Sequence, residues 1–317
     1  MLTFLVTFLI ALFLTILLTP MVRSFAPALG AMDKPSDRKV HTTAIPRLGG
    51  MAIFGGFVAA VVLGLLLAYW GGAKINPRPL IGVLLGGTII FLTGLFDDMR
   101  GLKPLPKLGW QIAGALVAIY FGASITHISN PFDGPLLLGW IAVPLTLFWI
   151  VGMTNAVNLI DGLDGLAAGV TAISAGTLFF VALRTHQIGA ALLMVALAGA
   201  ALGFLRYNFN PASIFLGDSG SYFLGFVLAA SSIVGVFKTT LVVALIIPIL
   251  ILGVPIFDTT FAILRRLKER KSMLAADNRH IHHLLLRAGL TQREAVLSIY
   301  VVCFLLSMTA LVMALQR

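Results

Sequence analysis

The sequence predicts an all-α, polytopic integral membrane protein that forms a single transmembrane domain over residues 1–317. Hydrophobic residues make up 59% of the chain and charged residues 11%, and the mean hydropathy is +1.02. A soluble domain carries about 25% charged residues, so this composition excludes one. Nearly uncharged runs recur at close to the ~20 residues that a helix needs to cross a bilayer. Such runs form helices because backbone polar groups in lipid must be satisfied within the segment.

Ten apolar runs along the chain have the length of a membrane span. They are predicted at 2–22, 48–70, 79–96, 108–125, 136–154, 165–183, 188–205, 219–236, 239–264 and 294–314. The first run lacks the basic start of a signal peptide and is followed by Arg23 rather than a small-residue cleavage site, so we interpret it as a retained span. Pro248 and Pro255 predict a kink in the ninth span, because proline interrupts helix hydrogen bonding.

The basic residues are distributed unevenly between the two sets of connecting segments. Segments 23–47, 97–107, 155–164, 206–218 and 265–293 carry 17 of the 22 Lys and Arg residues. Basic residues accumulate on the cytoplasmic side of membrane proteins, so these segments are predicted to be cytoplasmic. The net charge of +10 follows from these loops. The sequence therefore predicts the lipid bilayer as a partner, and it predicts no nucleic-acid partner.

The acidic residues also collect at the predicted cytoplasmic face, and Asp133 is the one exception among 12. Carboxylates at a membrane edge are costly unless they bind a cation or take part in chemistry. This pattern favours an active site at the cytoplasmic face over a secondary transporter, which places polar groups near the midplane. Asp258 is the acid that could lie deeper, so the transporter remains an alternative. A scaffold that binds lipid through its basic loops is a third alternative.

The third span ends in an adjacent pair of carboxylates, Asp97 and Asp98. Two neighbouring carboxylates repel each other unless a cation lies between them. Such a pair suits a general base or a metal-associated site, and a solvated helix end is the alternative. Lys103 and Lys107 follow within one short loop, where they could bind a phosphate beside the pair.

Four polar residues recur at every third position where the fifth span ends and the sixth begins. They are Asn155, Asn158, Asp161 and Asp164. Asn158 and Asp161 would share one face of a helix. Oxygen-rich clusters suit Mg²⁺, which takes few protein ligands and completes its shell with phosphates and water, and Mn²⁺ is the alternative ion. Capping of helix ends by Asn and Asp is the competing interpretation.

Asp218 lies just before the eighth span, among small residues in the run 217–221. Small residues would let a phosphate or metal ion approach the backbone at the helix N-terminus. Capping of that helix by the Asp218 side chain is the alternative. Phe215 lies three residues upstream, close enough to stack on a flat ring.

The last cytoplasmic loop contains three histidines in four residues, preceded by an arginine. They are Arg279, His280, His282 and His283. Zinc is an option for such a cluster, but no cysteine partner is present in the loop. The loop carries eight Lys and Arg residues, which favour a phosphate or a sugar diphosphate over a metal. A basic loop held to anionic lipid is the alternative. His41 and Arg47, in the first cytoplasmic loop, belong to the same kind of segment.

Together these segments resemble the polyprenyl-phosphate N-acetylhexosamine-1-phosphate transferase family over nearly the whole chain. The Asp-Asp pair, the Asn-x-x-Asn-x-x-Asp-Gly-x-Asp-Gly run, the Gly-Asp-Ser-Gly-Ser turn and the His-Ile-His-His loop occur in the family's order. The resemblance implies Mg²⁺-dependent transfer of a sugar-1-phosphate from a UDP-sugar to a lipid phosphate at the cytoplasmic face, with release of UMP.

The form of the histidine loop helps to select the donor. His-Ile-His-His is similar to the GlcNAc-1-phosphate branch of the family rather than to the pentapeptide branch. The resemblance therefore implies UDP-GlcNAc and undecaprenyl phosphate as partners, in the plasma membrane of a bacterium. Phospho-MurNAc-pentapeptide transfer to the same lipid is the alternative within the family, and a homodimer remains open.

The resemblance also implies roles for individual residues near the reacting phosphates. Asp97 and Asp98 correspond to the catalytic pair, with Asp97 expected as the base and Asp98 as the orienting group. A covalent aspartyl intermediate is the rival route. Asp218 and Asn158 correspond to the magnesium site, and Lys107 corresponds to a pyrophosphate contact.

Other matches fall where the family binds the rest of the donor. Asp161 and Asp164 correspond to positions at the nucleoside, and Phe215 to a ring that stacks on uracil. The residues expected around the sugar and phosphates are Arg279, His280, His282 and His283.

Overall fold

The computed structural model describes residues 1–33, 44–129, 135–237, 246–269 and 280–315. Within these ranges the chain forms α-helices and two short antiparallel β-ladders. The helices are α1 (Leu2–Phe25), α2 (Gly49–Trp70), α3 (Pro77–Arg100), α4 (Pro104–Tyr120), α5 (Ala142–Ile160), α6 (Leu166–Arg184), α7 (Ile188–Asn208), α8 (Gly217–Ser232), α9 (Ile246–Ile251), α10 (Gly253–Lys268), α11 (Ile281–Arg287) and α12 (Gln292–Leu315). Strand β1 (Met32–Asp33) pairs with β2 (Ile45–Pro46), and β3 (His127–Ser129) pairs with β4 (Pro135–Leu137).

Seven helical segments in the described part of the chain are long and apolar enough to cross a membrane. They are Leu2–Phe25, Gly49–Trp70, Pro77–Arg100, Gly139–Ile160, Leu166–Arg184, Ile188–Asn208 and Gln292–Leu315. These helices confirm the all-α, multi-pass membrane fold. The predicted spans 108–125, 219–236 and 239–264 correspond instead to the shorter helices α4 and α8 and to the pair α9 and α10.

Several helices run further toward the polar motifs than the hydropathy pattern predicts. Helix α3 continues through Asp97 and Asp98 to Arg100, and it is followed by Gly101, whose φ of +70° favours glycine. Helix α5 ends at Ile160 rather than 154, so Asn155 and Asn158 are helical. Hydropathy ends a span at its first polar residues, whereas these side chains are satisfied by neighbouring helices inside the bundle.

The ninth predicted span is broken at Leu252, between α9 and α10. Pro255 has no backbone N–H, so the carbonyl of Ile251 loses its helical donor. The Ser174 hydroxyl of α6 donates to that carbonyl at 3.1 Å, which satisfies the freed group inside the bundle. The break confirms the predicted kink, and beyond it Asp258 of α10 contacts His280 at the polar end of the bundle.

Helix α8 lies at the centre of the bundle, with residues 219–232 all buried. Helices α2, α3 and α5 pack against it. Gly94 of α3 lies against the backbone of α8, where an added Cβ would be 2.5 Å from the Asp218 carbonyl oxygen. Gly50 of α2 similarly leaves no room for a Cβ against Gly220. These close approaches fix the N-terminus of α8 beside the end of α3, where the predicted site residues lie.

Candidate active site

A cavity of about 730 Å³ opens at the end of the bundle where α3, α5 and α7 end and where α2, α6, α8 and α12 begin. The structure brings many of the residues predicted from sequence to its wall. Those that line it are Arg47, Asp98, Asn158, Asp161, Asp164, Phe215, Asp218 and His283. The cavity therefore combines several carboxylates with basic, amide and aromatic side chains at one end of the membrane-spanning helices.

The Asp98 carboxylate caps the N-terminus of α8 from the neighbouring helix α3. It accepts the backbone N–H of Asp218 at 2.8 Å, the backbone N–H of Ser219 at 3.0 Å and the Ser219 hydroxyl at 2.6 Å. A carboxylate at this position also interacts favourably with the helix dipole. The alternative in which Asp218 itself is the N-cap of α8 is wrong, because the N-cap position is Leu216 and Asp218 lies inside the first turn.

Lys107 lies between two carboxylates of the site. Its ammonium group pairs with Asp97 and lies 3.4 Å from an oxygen of Asp218. The other oxygen of Asp97 accepts the backbone N–H of Leu102 at 2.6 Å, just beyond the end of α3. The Tyr222 ring lies beside this group, with its centre 6.0 Å from the Lys107 ammonium nitrogen. The arrangement places a cation directly beside the predicted catalytic pair.

Asn158 and Asp218 are in direct contact across the interface of α5 and α8. The Asn158 amide nitrogen donates to Asp218 at 2.8 Å and to the Ser221 hydroxyl at 2.8 Å. A side-chain amide carries a donor nitrogen and an acceptor oxygen, and a half-turn of the amide would exchange their positions. The pair can therefore present two oxygens to a cation after the amide turns.

The turn between α5 and α6 supplies two further carboxylates. Asp164 accepts the side-chain amide of Asn210 at 3.0 Å and the backbone N–H of Ala212 at 3.0 Å, which ties the turn to the segment after α7. Asp161 faces the cavity. Burial raises the pKa of Asp161 well above its usual value of 3.8, and the negative charges of Asp218, Asp98 and Asp164 raise it further.

Replacing Asp161 with asparagine should therefore raise the thermal stability of the ligand-free protein at neutral pH. The raised pKa means that the folded protein binds a proton more tightly than the unfolded chain, so stability falls as the pH rises above 3.8 toward the folded value. Melting curves in detergent at several pH values test this. The asparagine variant should show a flatter pH dependence, and an unchanged or steeper one would contradict the assignment.

The first loop joins the site through its backbone and through Arg47. The Arg47 guanidinium donates to the backbone carbonyl of Asp98 at 2.7 and 3.0 Å, which supports the end of α3. The Phe215 N–H donates to the Pro46 carbonyl at 2.7 Å, and the Gly49 N–H donates to the Phe215 carbonyl at 3.0 Å. These bonds hold the Phe215 ring at the wall of the cavity.

The histidine segment lies beside the turn between α5 and α6, where the His282 ring packs against Gly162. His283 lines the cavity, whereas His280 and His282 are buried behind it. Burial, together with the nearby rings of His283 and His280, lowers the pKa of His282 to about 4, so this ring is neutral at physiological pH. His41 and Arg279, which the sequence predicts as substrate contacts, lie outside the described residues.

Four more of the predicted residues, Asp97, Lys103, Lys107 and Asn155, do not line the cavity. The Asn155 amide is bonded to the side chain of Gln111 at 2.7 Å and to the Val151 carbonyl at 2.8 Å, which joins α5 to α4. Lys103 is exposed at the start of α4. The roles of Asn155 and Lys103 in substrate binding stay predictions.

The donor set fits a hard divalent cation. Lys107 contacts Asp97 and Asp218, and its one positive charge cannot balance both carboxylates. In the part of the chain that the structure describes, no group of three His, Cys, Asp or Glu side chains is arranged to hold a metal ion. Mg²⁺ commonly binds through one or two carboxylates plus substrate phosphates and water, so a site at Asp218 and Asn158 meets its requirements.

Sequence reasoning missed several residues that shape the site. Ser219 and Ser221 belong to the Gly-Asp-Ser-Gly-Ser motif, but their bonds to Asp98 and Asn158 link separate helices, which the motif does not reveal. Tyr222 is the next residue, and nothing in the sequence pattern distinguishes it from the other aromatic residues of the predicted spans. A helical register from Asp218 would have placed Ser221 on the same face, since residues three apart are neighbours.

The sequence of the chain is similar to those of known proteins. Residues 80–236 match the family model described as glycosyl transferase family 4. A Bacillus subtilis protein described as a probable undecaprenyl-phosphate N-acetylglucosaminyl 1-phosphate transferase is 42% identical over 99% of this chain and 86% of its own length. The Mycobacterium tuberculosis decaprenyl-phosphate N-acetylglucosaminephosphotransferase is 38% identical over 90% of this chain and 76% of its own. The Escherichia coli undecaprenyl-phosphate alpha-N-acetylglucosaminyl 1-phosphate transferase is 28% identical over 95% and 82%.

A multi-pass helical bundle with this acidic cavity and these relatives is a membrane-embedded sugar-phosphate transferase. More narrowly, the chain belongs to the polyprenyl-phosphate N-acetylhexosamine-1-phosphate transferase family, as the order of its motifs predicts.

Proposed function

We propose that the protein transfers GlcNAc-1-phosphate from UDP-GlcNAc to undecaprenyl phosphate and releases UMP. This reaction would be the first membrane step in the synthesis of a cell-envelope glycan, such as O-antigen, common antigen or teichoic acid. The observation that carries the proposal is the cavity, in which Asp98, Asn158 and Asp218 meet at the ends of membrane-spanning helices. A lipid phosphate at the bilayer surface can reach such a position, and relatives named as GlcNAc-1-phosphate transferases support the choice of donor.

The same proposal places the cavity at the cytoplasmic face of a bacterial inner membrane, with ten spans. The connecting segments that include Arg47, Asp98, Asp161 and Asp218 of the cavity wall also carry most of the basic residues, as cytoplasmic segments do. Helix α8 continues into a π-helical turn at Ile233–Phe237, which lengthens it toward a full span. The relatives are bacterial proteins, which supports the inner membrane as the location.

The chain's own groups suggest how the acceptor is activated. Asp98 already accepts three hydrogen bonds from α8, so it is suited to orientation rather than to proton transfer. Asp97 is held by Lys107 and one backbone N–H. When Lys107 turns to the donor pyrophosphate, Asp97 is free to accept the proton of the lipid phosphate. The lipid oxygen then bonds to the β-phosphorus as the bond from that phosphorus to UMP breaks.

We assign the magnesium site to Asp218 and the Asn158 amide oxygen. When bound there, Mg²⁺ would neutralise charge on the donor pyrophosphate. Ser221 would keep Asn158 in place after its amide turns, because a hydroxyl can donate as well as accept. Phe215 would stack on the uracil ring, Asp161 would accept a hydrogen bond from the nucleoside, and His283 would contact the sugar and phosphates from the cavity wall.

Purified protein should release UMP from UDP-GlcNAc only when undecaprenyl phosphate and Mg²⁺ are both present. A chelator should abolish the release and excess Mg²⁺ should restore it, because the donor charge needs a counter-ion. Decaprenyl phosphate is assayed beside undecaprenyl phosphate as a second acceptor, because the two relatives are named for lipid phosphates of different length. The measurement is UMP by chromatography, with labelled lipid product recovered in the organic phase.

The outcomes of this assay separate the alternatives. UMP from another UDP-sugar, but not from UDP-GlcNAc, would keep the reaction and change the pathway. One UMP per enzyme in the absence of lipid would replace direct attack with a covalent aspartyl intermediate. No UMP with any donor would contradict the transferase and favour a transporter.

A further inference from the structure

We propose that Asp258 is a positioning residue that fixes the histidine segment 280–283 as the wall of the cavity that binds the sugar-nucleotide donor. Asp258 lies on α10, outside the cavity lining and outside the motifs that define the candidate site. The inference deepens the proposed function and rests on it, because it concerns how that donor is held.

The Asp258 carboxylate bonds to two groups at the start of α11. One oxygen lies 2.8 Å from the His280 ring nitrogen Nδ1, and the other accepts the backbone N–H of Ile281 at 2.8 Å. Asp258 is 8% exposed and His280 is 4% exposed, so water competes little for these bonds. With both oxygens engaged, the carboxylate fixes the position of α11 and the tautomer of His280, whose Nδ1 carries the proton.

The His280 ring in turn orders its neighbours. It stacks parallel to His282, with ring centres 5.8 Å apart and planes 5° apart. His282 is 2% exposed, and its ring lies against Gly162, where an added Cβ would overlap the ring. A continuous chain of contacts therefore runs from Asp258 through His280 and His282 to the turn that carries Asp161.

His283 is the end of this chain that reaches the cavity. Its ring centre lies 4.1 Å from that of His282, and its side chain lines the cavity together with Asp161 and Gly162. A shift of α11 would therefore move His283 relative to the turn at Gly162. Misplacement of a substrate-binding group by about 1 Å can cost a factor of about 100 in catalysis.

Kinetics of Asp258 variants test the proposal directly. Asp258→Ala should raise the KM for UDP-GlcNAc about tenfold or more and leave the KM for undecaprenyl phosphate unchanged, because the donor wall alone is disturbed. Asp258→Asn keeps one acceptor oxygen and should give an intermediate donor KM. A loss of kcat and of thermal stability with an unchanged donor KM would mean a purely structural role and would overturn the proposal.

Thr259→Val is the matched control on the same turn of α10. The Thr259 hydroxyl is buried and has no hydrogen-bond partner among the described residues, so its replacement by a methyl group removes no described bond. This variant should match the wild type in both KM values. A donor KM in Thr259→Val as high as in Asp258→Ala would show that any change in this turn has the same effect, and it would also overturn the proposal.

A double variant tests whether Asp258 acts through His280. If it does, Asp258→Ala combined with His280→Ala should raise the donor KM no further than the larger single effect. Independent, multiplicative effects would overturn the relay. In that case Asp258 would act on the donor by some other route.

A measurement without turnover separates this proposal from the proposed function. In ¹⁵N-histidine-labelled wild-type protein, the ring signal that His280→Ala removes should be that of a protonated Nδ1, and Asp258→Asn should shift it. Absence of that signature would overturn the positioning role even if the enzyme is active. Failure of the wild type to turn over any UDP-sugar would overturn the proposed function, and with it the donor role of this wall, while the signature would still establish the Asp258–His280 pair.

Discussion

Replacing Asp218 with alanine should lower kcat by at least about 10³-fold while leaving the protein extractable and folded. The substitution removes the carboxylate that contacts both Lys107 and Asn158, and it removes the proposed anchor of the metal ion. Charge stabilisation by a catalytic metal contributes several kcal/mol, and each 1.36 kcal/mol corresponds to about tenfold in rate. UMP release at saturating substrate measures kcat, and size-exclusion chromatography in detergent checks the fold.

Ser221→Ala is the control for this substitution. Ser221 lies on the same face of α8 as Asp218, and its hydroxyl contacts Asn158 of α5. Removing this hydroxyl disturbs the surroundings of Asp218 without removing a charge. Its effect on kcat should stay within about tenfold, as for the loss of one neutral hydrogen bond. Near-normal turnover in Asp218→Ala would remove Asp218 from the active site. A loss in Ser221→Ala as large as in Asp218→Ala would indicate a packing defect instead.

Many of the residues that the sequence predicts for the site line the cavity, because the chemistry expected of such a site depends on residue type. A carboxylate at the end of a span costs free energy unless it serves a function, so Asp98 and Asp218 can be selected from the sequence alone. Their connection could not be predicted. Asp98 caps α8 from another helix across 120 positions of sequence, and no local pattern encodes such a contact.

The helix ends show a similar limit. Hydropathy places the end of the fifth span at residue 154, whereas α5 continues to Ile160. The extra turn is satisfied by partners on other helices, such as Gln111 with Asn155 and Ser221 with Asn158. A window of mean hydropathy measures compatibility with lipid, but these residues face protein and a cavity, where lipid does not set the cost.

The interpretation of Asp258 changes once its contacts in the structure are known. From sequence it is the acid that could lie deep in the membrane, and it therefore supports a transporter. In the structure Asp258 lies on α10, beyond the break at Leu252, and its carboxylate is bonded to the His280 ring. The residue that favoured the rival class of protein is thus bonded to the histidine segment of the candidate site.

Replacing Asp98 with alanine should both abolish turnover and destabilise the protein. The change leaves the backbone N–H groups of Asp218 and Ser219 without their acceptor at a buried helix end. Each buried donor left unpaired costs about 1–3 kcal/mol. The N-terminus of α8 carries Asp218, so its displacement should also lower kcat by about 10³-fold or more. Thermal unfolding in detergent and UMP release measure the two effects.

Asp98→Asn and Ser219→Ala divide this effect into its parts. Asparagine keeps one acceptor oxygen, so it should recover part of the stability, but it loses the charge that interacts with the α8 dipole. Ser219→Ala removes only the hydroxyl bond of 2.6 Å and keeps both backbone bonds, so it should retain most of the stability and turnover. If Asp98→Ala melted at the wild-type temperature, the capping contact would not hold α8. If it also retained turnover, the catalytic pair would reduce to Asp97, and the orienting role assigned to Asp98 would be lost.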